Sequence, residues 1–407
     1  MGKTLVSYFK DFDADDIAQF YIQSEVPTLN ICKNYYRVTD KDVLKSLFGC
    51  KTGCVLHEED IETGKVNVKT YTDVEAKLHR RAGKRTPMTY LLRNALWKFG
   101  HWNNKKLKQW VDEFDPECVF FVSGDYAFTY KIALNIAKTK NIPLYVSCMD
   151  DYYINNNNKG KFLGEFQHKI FMRSVNAVMH YASAIFCICD AMSDKYSELF
   201  GKKCVTIHTA ASFAAPLECS NSSNRIAYIG GLSYNRHLQL ADIGSTLKKF
   251  GMQLDVYALP RTPDIQKYMT EEYGIVFHGS ISSDEVKKVT AQSMAVIHTE
   301  SFDDDIKDKV KYSVSTKIAD SLMSGICIFA YGPSDIASIN YLKENEVAIC
   351  VTSKEDLYDG IDRLINDETL RSKVISNAIA LANKNHHPGA SYEVICNTIT
   401  DGRQNEV

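Results

Sequence analysis

The feature that most constrains the fold is a regular alternation of short apolar runs with helical patterns from Glu117 onward. Apolar runs of this kind are typical of strands buried on both faces, and the helical segments between them are the crossovers that parallel strands require. We therefore predict an α/β protein with parallel sheets. The predicted strands of the first half are Ile17–Ile22, Cys118–Val122, Leu144–Cys148, Ala184–Cys189 and Val205–His208. Those of the second half are Arg225–Ile229, Gln253–Leu259, Ile275–His278, Ala295–His298, Ile326–Ala330 and Ala348–Val351.

The chain is long enough for two domains. It has 407 residues, of which 45% are apolar, so each of two domains can bury its own core. Residues 210–224 show neither the periodicity of a helix nor that of a strand. They are rich in small and polar side chains, which is typical of a linker. We predict a Rossmann-like domain over residues 1–209 and a second one over 225–375, facing each other across a cleft. The tail, residues 376–407, is predicted to be helical and could cross back to the first domain.

Composition narrows the range of functions. The net charge is -2 and the pI is near 6.6, so the chain as a whole has no attraction to nucleic acid. The twelve cysteines are scattered without a CxxC pair, which favours free thiols in a reducing cytosol over disulfides or a metal site. No segment of the given sequence resembles a signal peptide, and no apolar run is as long as a membrane span. These features predict a cytoplasmic protein.

A glycine turn follows the first predicted strand of the second domain, at Gly230 and Gly231. Glycine permits close backbone approach to a ligand, and Arg236 can make a bidentate contact with a phosphate. The motif differs from GxGxxG, which disfavours a nicotinamide or flavin dinucleotide. A plain tight turn is the alternative interpretation.

A second anion-binding element is predicted in Tyr312–Gly325, which reads YSVSTKIADSLMSG. Ser315 can cap a helix there, and Lys317 and Asp320 lie on its polar face. A lysine in the first turn of a helix is unfavourable by roughly 0.3–1 kcal/mol, because its charge faces the positive end of the helix dipole. A bound anion would make a lysine at this position favourable. A solvated polar face with a tolerated lysine explains the pattern equally well. The apolar face holds Ile318, Ala319, Leu322 and Met323.

These motifs together resemble a known family. The Gly-Gly turn, FHGS at Phe277–Ser280, Glu300, STKIADSLMSG and the following ICIFAYGPSD are similar to the donor domain of glycosyltransferases with the GT-B fold, specifically those like family 4. The resemblance covers most of Arg225–Ala382 and extends faintly into Val119–Thr209. It implies that a nucleotide-diphosphate sugar binds the second domain and that an acceptor binds the first.

The resemblance also implies roles for individual residues. The glycine turn, Arg236 and Lys317 would hold the diphosphate, and Asp320 would bind the ribose. The family's two glutamates separated by seven residues are missing, because Asp320 stands in the place of the second and Tyr312 in that of the first. Glu300 could replace one of these glutamates. The resemblance therefore does not fix which residues face the sugar. The predicted donor-binding residues are Gly230, Gly231, Arg236, Glu300, Ser315, Thr316, Lys317 and Asp320.

Carboxylates follow two predicted strands of the first domain. Asp125 comes after the strand ending at Val122, and Asp150 and Asp151 come after the strand ending at Cys148. Ligands gather at the carboxyl ends of parallel strands, so we predict that Asp150 and Asp151 act on an acceptor hydroxyl. Helix or loop capping is the alternative, especially for Asp125.

Two DxD strings, Asp13–Asp15 and Asp303–Asp305, are candidates for a metal-diphosphate site. Such a carboxylate pair should end a buried strand, and neither string does. Arg236 and Lys317 can supply the positive charge instead. We therefore predict no metal and no cofactor.

A basic segment lies between Ala76 and Val111. It holds ten Lys or Arg residues, no Asp or Glu, and all three tryptophans of the chain. Its helical stripes are amphipathic as well as basic, which favours contact with an anionic membrane or a lipid-linked acceptor. Packing of the apolar stripes on the sheet, with a solvated basic face, is the alternative. The predicted contact residues are Arg93, Trp97, Trp102, Lys105 and Lys106; the other basic residues are Lys77, Arg80, Arg81, Lys84, Arg85, Lys98 and Lys108.

The sequence thus predicts a glycosyltransferase that moves a sugar from a nucleotide-diphosphate sugar to a carbohydrate acceptor. We expect the acceptor to be lipid-linked, the pathway to be bacterial surface polysaccharide assembly, and the enzyme to lie on the inner face of the cytoplasmic membrane. The resemblance implies retention of anomeric configuration. Two alternatives stay open: a nucleotide-sugar epimerase of the same fold, and a binding module without catalysis.

The N-terminus departs from the usual Rossmann-like order. Such a domain normally opens with an apolar strand that leads into a glycine turn and a helix. Here Gly2, Lys3 and Thr4 are followed at once by the helical stripe of Leu5–Phe12. We therefore expect that the chain starts after a first strand that it lacks.

Overall fold

A computed structural model describes residues 2–24, 31–57, 86–154, 162–218, 224–259 and 262–404. The chain divides into two compact units. Unit 1 comprises Met1–Thr206 and Val394–Val407, and unit 2 comprises Ile207–Glu393. Much of the predicted basic segment, including Lys77, Arg80, Arg81, Lys84 and Arg85, lies outside the described residues.

The described residues of unit 1 form two sheets. In one, β1 pairs in parallel with β2, and β2 pairs antiparallel with β3; the other is wholly parallel, in the order β4-β5-β6-β7. The strands are β1 (Ala18–Tyr21), β2 (Asn34–Arg37), β3 (Cys54–His57), β4 (Val119–Val122), β5 (Leu144–Cys148), β6 (Ala184–Cys187) and β7 (Cys204–Thr206). The helices are α1 (Gly2–Phe9), α2 (Asp40–Ser46), α3 (Pro87–Phe99), α4 (Lys105–Phe114), α5 (Ala127–Lys140), α6 (Phe162–Tyr181) and α7 (Asp190–Phe200).

Unit 2 is built on one parallel sheet of six strands, in the order β10-β9-β8-β11-β12-β13. The strands are β8 (Ile226–Ile229), β9 (Leu254–Tyr257), β10 (Ile275–Gly279), β11 (Ala295–Thr299), β12 (Cys327–Tyr331) and β13 (Ile349–Val351). The helices are α8 (Arg236–Lys249), α9 (Pro263–Gln266), α10 (Ser283–Ala291), α11 (Asp304–Val310), α12 (Lys317–Met323), α13 (Ala337–Glu344), α14 (Leu357–Asn366) and α15 (Glu368–Asn385). A last helix, α16, spans Ala390–Gln404.

The predicted α/β class with parallel sheets is confirmed. Each predicted strand of the second half is present with its ends within two residues of the prediction. Continuous apolar runs are a reliable signal here because the strands of a parallel sheet are buried on both faces. All five residues of β12 are buried. The sequence missed β2 and β3, whose tyrosine-rich and short patterns lack a long apolar run.

The C-terminal helix returns to unit 1, as predicted. Tyr145 Oη donates to the carbonyl of Ile399 at 3.4 Å, and Lys203 Nζ lies 3.1 Å from a carboxylate oxygen of Asp401. At the other end of unit 1, α1 precedes both sheets in the chain. The expectation about where the chain starts stays a prediction.

A buried histidine joins the first and last segments of unit 2. His386 is 2% exposed; its Nδ1 lies 2.8 Å from the carbonyl oxygen of Thr209, and its Nε2 lies 2.9 Å from Tyr341 Oη. The backbone N–H of Ala211 donates to the carbonyl of His386 at 2.8 Å. These bonds fasten residues 209–211 to the end of α15.

We expect the stability of the protein to fall in mild acid because of His386. Burial lowers the pKa of His386 to about 4, so the folded state takes up a proton less readily than the unfolded state. The contribution of neutral His386 to the free energy of unfolding is therefore complete above about pH 6.5. It is lost as the pH falls toward 4, by at most about 1.4 kcal/mol per pH unit. Urea unfolding at several pH values measures this slope. His386→Gln should flatten it, whereas the neighbouring His387→Gln should not; equal slopes in both variants would contradict the assignment.

Within the described ranges, none of the helices combines the length and the apolar character that crossing a membrane requires.

Candidate functional site

The strand order of unit 2 creates a crevice beside β8. Chain connections run from β8 outward to β9 and β10 on one side, then return to β11 and run outward to β12 and β13 on the other. Loops from adjacent strands therefore diverge at the carboxyl ends of β8 and β11, and ligands of doubly wound sheets bind at such a switch point. The loop after β8 carries Gly230 and Gly231, and β11 leads into Glu300.

Lys317 lies at this crevice. Its Nζ donates to the carbonyl of Ile229, the last residue of β8, at 3.0 Å. The residue itself is the first of α12 and is exposed. The two anion-binding elements that the sequence predicted, the glycine turn and the lysine helix, thus come together in space.

The absence of a side chain at Gly230 leaves room for this arrangement. A Cβ at Gly230 would lie 2.7 Å from Lys317 Nζ and 2.9 Å from Tyr228 Oη. Tyr228 Oη in turn donates to the carbonyl of Gly231 at 2.6 Å and so fixes the turn. A Cβ at Gly231, in contrast, would meet no atom within 4 Å, so the backbone is open to a ligand there. Sequence analysis missed Tyr228, which gives no signal apart from a polar group in an apolar strand.

Arg236, the first residue of α8, is held by a buried carboxylate. Its Nη2 donates to Glu300 Oε1 at 2.7 Å and to Oε2 at 2.9 Å, and its Nε donates to Oε2 and to the carbonyl of Thr299, each at 3.2 Å. Glu300 is only 2% exposed. Among the described residues no hydrogen bond is made by Nη1, so one edge of the guanidinium is fixed by protein and the other is available to an anion.

The charges of this pair depend on burial and on each other. Burial lowers the pKa of Arg236, but the Glu300 carboxylate more than offsets this, so the guanidinium stays charged. Burial also raises the pKa of Glu300, and Arg236 opposes the rise. The carboxylate therefore depends on its partner to stay ionised. The sequence offered Glu300 as a replacement for a sugar-facing glutamate, and the structure pairs it with Arg236.

His298 adds a neutral polar group beside the Arg236–Glu300 pair. Burial, together with the positive charges of Arg236 and Lys317, lowers its pKa to about 3, so the imidazole is neutral at physiological pH. Its Nε2 lies 3.0 Å from Ser338 Oγ. Sequence analysis assigned no role to His298, because a histidine in a strand carries no signal of its surroundings.

Asp320 contacts the segment that the sequence marked as a linker. Its Oδ1 accepts from the backbone N–H of Ser212 at 2.6 Å, and its Oδ2 accepts from Ser212 Oγ at 3.2 Å. A hydroxyl group that binds Asp320 must therefore share the carboxylate with Ser212 or replace it. No feature of the sequence indicated this partner.

The remaining predicted donor-binding residues, Ser315 and Thr316, form the start of α12. The structure makes Thr316 the capping residue, without a side-chain capping bond, whereas Ser315 Oγ accepts weakly from the N–H of Lys317 at 3.4 Å. Gly325, with φ of +76°, follows the helix end, where glycine adopts a left-handed conformation without strain.

Both DxD strings cap short helical segments. Asp303 Oδ1 accepts from the N–H of Asp305 at the start of α11, and Asp13 Oδ1 accepts from the N–H of Asp15 at a 3-10 turn, each at 3.0 Å. Acidic residues stabilise a helix start through such bonds and through the helix dipole. The local structure therefore explains both strings.

In unit 1, the predicted catalytic carboxylates lie after β5. Asp151 Oδ1 accepts from the N–H groups of Tyr153 and Ile154 at 3.0 and 2.9 Å and from Tyr196 Oη at 2.9 Å. Asp150 is exposed, and its Oδ2 accepts from Tyr152 Oη at 3.1 Å. Asp151 thus shapes its loop through one oxygen, and a catalytic role of either residue stays a prediction. Asp125, after β4, accepts from Tyr90 Oη at 2.5 Å.

The tryptophans of the basic segment belong to the core. Trp97 is 1% exposed, stacks on Phe128 at 4.5 Å between ring centroids, and donates from Nε1 to Asp40 Oδ1 at 2.7 Å. Trp102 and Trp110 pack in the same core cluster. Arg93 is also engaged, since its Nε lies 2.9 Å from Asp40 Oδ2. Membrane contact by Trp97 is therefore corrected: its side chain packs inward, and only Lys105 and Lys106 of the predicted contact residues are exposed.

Comparison with solved structures identifies the fold. The glycosyltransferase from Rickettsia africae ESF-5 superposes with a TM-score of 0.55 at 14% identity, over 82% of this chain and 89% of that one. Anabaena Alr3699/HepE in complex with UDP gives a TM-score of 0.54 at 14% identity, over 73% and 81% of the two chains. Sucrose-phosphate synthase from Thermosynechococcus elongatus gives 0.53 at 10% identity, over 80% and 79%. The chain has the GT-B fold.

These likenesses concern the fold alone, because sequence identity is low. No family model matches the sequence, and no curated protein matches it. In the GT-B fold of this chain, the site described above occupies the carboxyl edge of the unit 2 sheet.

Proposed function

We propose that this protein is a glycosyltransferase that takes a sugar from a nucleotide-diphosphate sugar. The observation that carries the proposal is the convergence of Arg236, Lys317 and the Gly230–Gly231 backbone at the switch point of the unit 2 sheet. Two cations and an open glycine backbone match the charge and size of a diphosphate. Solved structures of the similar HepE contain UDP and UDP-glucose, which supports a uridine nucleotide as the first donor to test.

The chemistry required of this site is stabilisation of negative charge. As the glycosidic bond breaks, charge develops on the departing diphosphate, and the transition state gains more from nearby cations than the substrate does. Lys317 and the open edge of Arg236 would supply those cations. We propose that no metal is needed, because the two side chains can balance the diphosphate charge.

The polar groups around the diphosphate would position the rest of the donor. Asp320 is proposed to bind the ribose hydroxyls in place of Ser212, as the resemblance to family 4-like enzymes implies. Glu300 is proposed to orient Arg236 rather than to touch the sugar, because it is buried and both of its oxygens accept guanidinium bonds.

The acceptor is proposed to be a carbohydrate bound by unit 1, near Asp150 and Asp151. Asp150 is exposed at the carboxyl end of β5, where it can accept a proton from, or orient, an attacking hydroxyl. We propose further that the acceptor is lipid-linked, that the pathway builds bacterial surface polysaccharide, that the sugar is transferred with retention, and that the enzyme works peripherally on the membrane.

The proposed function is tested by the release of nucleoside diphosphate. A thermal-shift panel of nucleotides and nucleotide sugars first selects the donor. A ligand at 100 times its Kd raises the free energy of unfolding of the protein by about 2.7 kcal/mol. Incubation with that donor should release diphosphate only when a glycan acceptor is present. Interconversion of two nucleotide sugars without release would instead indicate an epimerase, and binding without any turnover would indicate a non-catalytic module.

A further inference from the structure

A groove crosses the outer side of α8 in unit 2 and is here called the α8 groove. Its volume is about 390 Å³, which is within the usual range of small-molecule sites. Leu238, Asp242 and Ser245 recur at helical spacing and form its floor. Leu240 and Leu247 of the same helix belong to the core on the inner side. The α8 groove is therefore a surface feature of this helix and not a gap in the core.

The α8 groove and Lys317 lie on opposite faces of the unit 2 sheet. Phe329 of β12 packs in one core cluster with residues of α8, and the preceding Ile328 packs in another with residues of α12. Successive side chains of a strand point to opposite faces, so α8 and α12 cover different faces of the sheet. Lys317 is the first residue of α12. The α8 groove is thus a second candidate site, apart from the one at Lys317.

Aromatic rings line two sides of the α8 groove. Tyr268 and Tyr273 lie in the connection between β9 and β10, with 5.2 Å between their ring centroids. Phe302, in the loop after β11, and Lys354, after β13, lie on the other side of β8 in the strand order. Lys354 Nζ lies 6.0 Å from the centroid of the Phe302 ring. The rings offer flat apolar surfaces on either side of Asp242.

Two hydrogen-bond acceptors in the α8 groove are short of donors. Gln239 lines the groove and is 3% exposed, and within the described residues its Oε1 accepts no hydrogen bond. Burial raises the pKa of Asp242, and the charge of Lys354 and the hydroxyl of Tyr331 oppose the rise without cancelling it. Because a buried acceptor without a partner costs about 1–3 kcal/mol, a ligand that brings donors into the groove is favoured.

These features match a neutral sugar better than an anion. A sugar ring has C–H groups that pack on the face of an aromatic ring, and hydroxyl groups on its edge that donate hydrogen bonds. An ionised phosphate offers no donor to Gln239 or Asp242. The described residues that line the groove include one cation, Lys354, against two carboxylates, Asp242 and Asp303. The charge of the groove therefore disfavours a nucleotide.

We propose that the α8 groove binds a neutral oligosaccharide. The rings of Tyr268 and Tyr273 would pack against sugar rings, and Gln239 and Asp242 would accept hydrogen bonds from sugar hydroxyl groups. The site would hold part of a glycan away from both the diphosphate site and the carboxylates of unit 1. The inference goes beyond the proposed function, because it requires neither Lys317 nor turnover.

Binding of neutral tetrasaccharides to the full chain tests the proposal. Maltotetraose, cellotetraose, laminaritetraose and chitotetraose differ in linkage and substituents, and at least one should bind in isothermal calorimetry at millimolar concentration. Gln239→Leu should weaken that binding about 2- to 13-fold, since a hydrogen bond between neutral groups is worth about 0.5–1.5 kcal/mol. Its free energy of unfolding should not fall, because the lost acceptor has no partner in the described residues. A purely structural Gln239 would instead lose stability when replaced.

Two tyrosine variants provide the matched comparison. Tyr268→Ala removes a ring of the α8 groove and should weaken oligosaccharide binding. Tyr358→Ala removes a tyrosine of α14 that is 50% exposed and does not line the groove, so it should leave binding unchanged. Circular dichroism shows that each variant is folded.

Two results would overturn the proposal. One is that none of the tetrasaccharides binds at millimolar concentration. The other is that Asp150→Asn abolishes their binding while Gln239→Leu and Tyr268→Ala keep it, which would place the glycan in unit 1. Failure of the proposed donor site would look different, because UDP binding would be absent while oligosaccharide binding to the α8 groove stayed intact.

Discussion

A Lys317→Ala protein is expected to bind a nucleoside diphosphate roughly 10- to 150-fold more weakly than the unchanged chain. Lys317 Nζ lies at the carboxyl end of β8, held at the carbonyl of Ile229, where its charge meets the proposed diphosphate. A hydrogen bond to a charged group is worth about 1.5–3 kcal/mol, which corresponds to this range. Isothermal calorimetry with UDP, or with the best nucleotide of the thermal-shift panel, measures the change.

The folded state should tolerate the loss of this exposed side chain. The free energy of unfolding is expected to change by less than about 0.5 kcal/mol, because the substitution leaves no cavity and no buried charge. Lys309→Ala, which removes another exposed lysine of unit 2 from α11, is the matched control and should bind nucleotide normally. Equal nucleotide affinity of folded Lys317→Ala and Lys309→Ala would refute the donor site proposed here.

Removal of the Glu300 carboxylate is expected to destabilise the protein by about 3–5 kcal/mol. Glu300→Ala leaves the Arg236 guanidinium largely buried without its counter-charge, and breaking a buried ion pair from one side costs about this much. Chemical denaturation of the variant, followed by fluorescence or circular dichroism, measures the free energy of unfolding. Because Arg236 also loses the bonds that orient it, nucleotide affinity should fall even under conditions in which the variant is fully folded.

An exposed ion pair of the same unit provides the comparison. Lys373 Nζ lies 2.8 Å from a carboxylate oxygen of Glu346, and both side chains are more than half exposed. Lys373→Ala should therefore cost less than about 1 kcal/mol. Glu300→Gln, which keeps two polar atoms near Arg236, should fall between the two. A cost for Glu300→Ala no larger than that for Lys373→Ala would mean that burial does not govern the pair.

The sequence predicted the parts of unit 2 that depend on local pattern. Continuous apolar runs gave β8, β11 and β12, because a strand buried on both faces requires apolar side chains at every position. The glycine turn and the lysine helix were also predicted, since both follow from short-range backbone and helical rules. Their convergence could be inferred from topology alone, because parallel strands bring their carboxyl ends to one edge.

Partners far apart in the sequence could not be predicted in this way. Periodicity indicates which face of an element is apolar, but it does not identify what a polar side chain meets. The tertiary structure decided that Glu300 pairs with Arg236, 64 residues away in the sequence. It also decided that Ser212 binds Asp320, 108 residues away. The structure likewise showed that Trp97 belongs to the core while Leu92 and Phe99 of the same helix are exposed, because an amphipathic pattern does not identify what each face meets.

What the sequence by itself determined, then, is the kind of fold, and it predicted where an anion would bind, since both follow from apolar spacing and chain topology. Only the tertiary structure decided that the charge of Lys317 is exposed at the site and that the charge of Glu300 is buried and paired with Arg236. It also decided that Phe48 and Phe99, rather than the tryptophans, are exposed on unit 1. The physical reason is that burial is set by the packing of whole elements against one another, and a single chain segment carries no record of its neighbours.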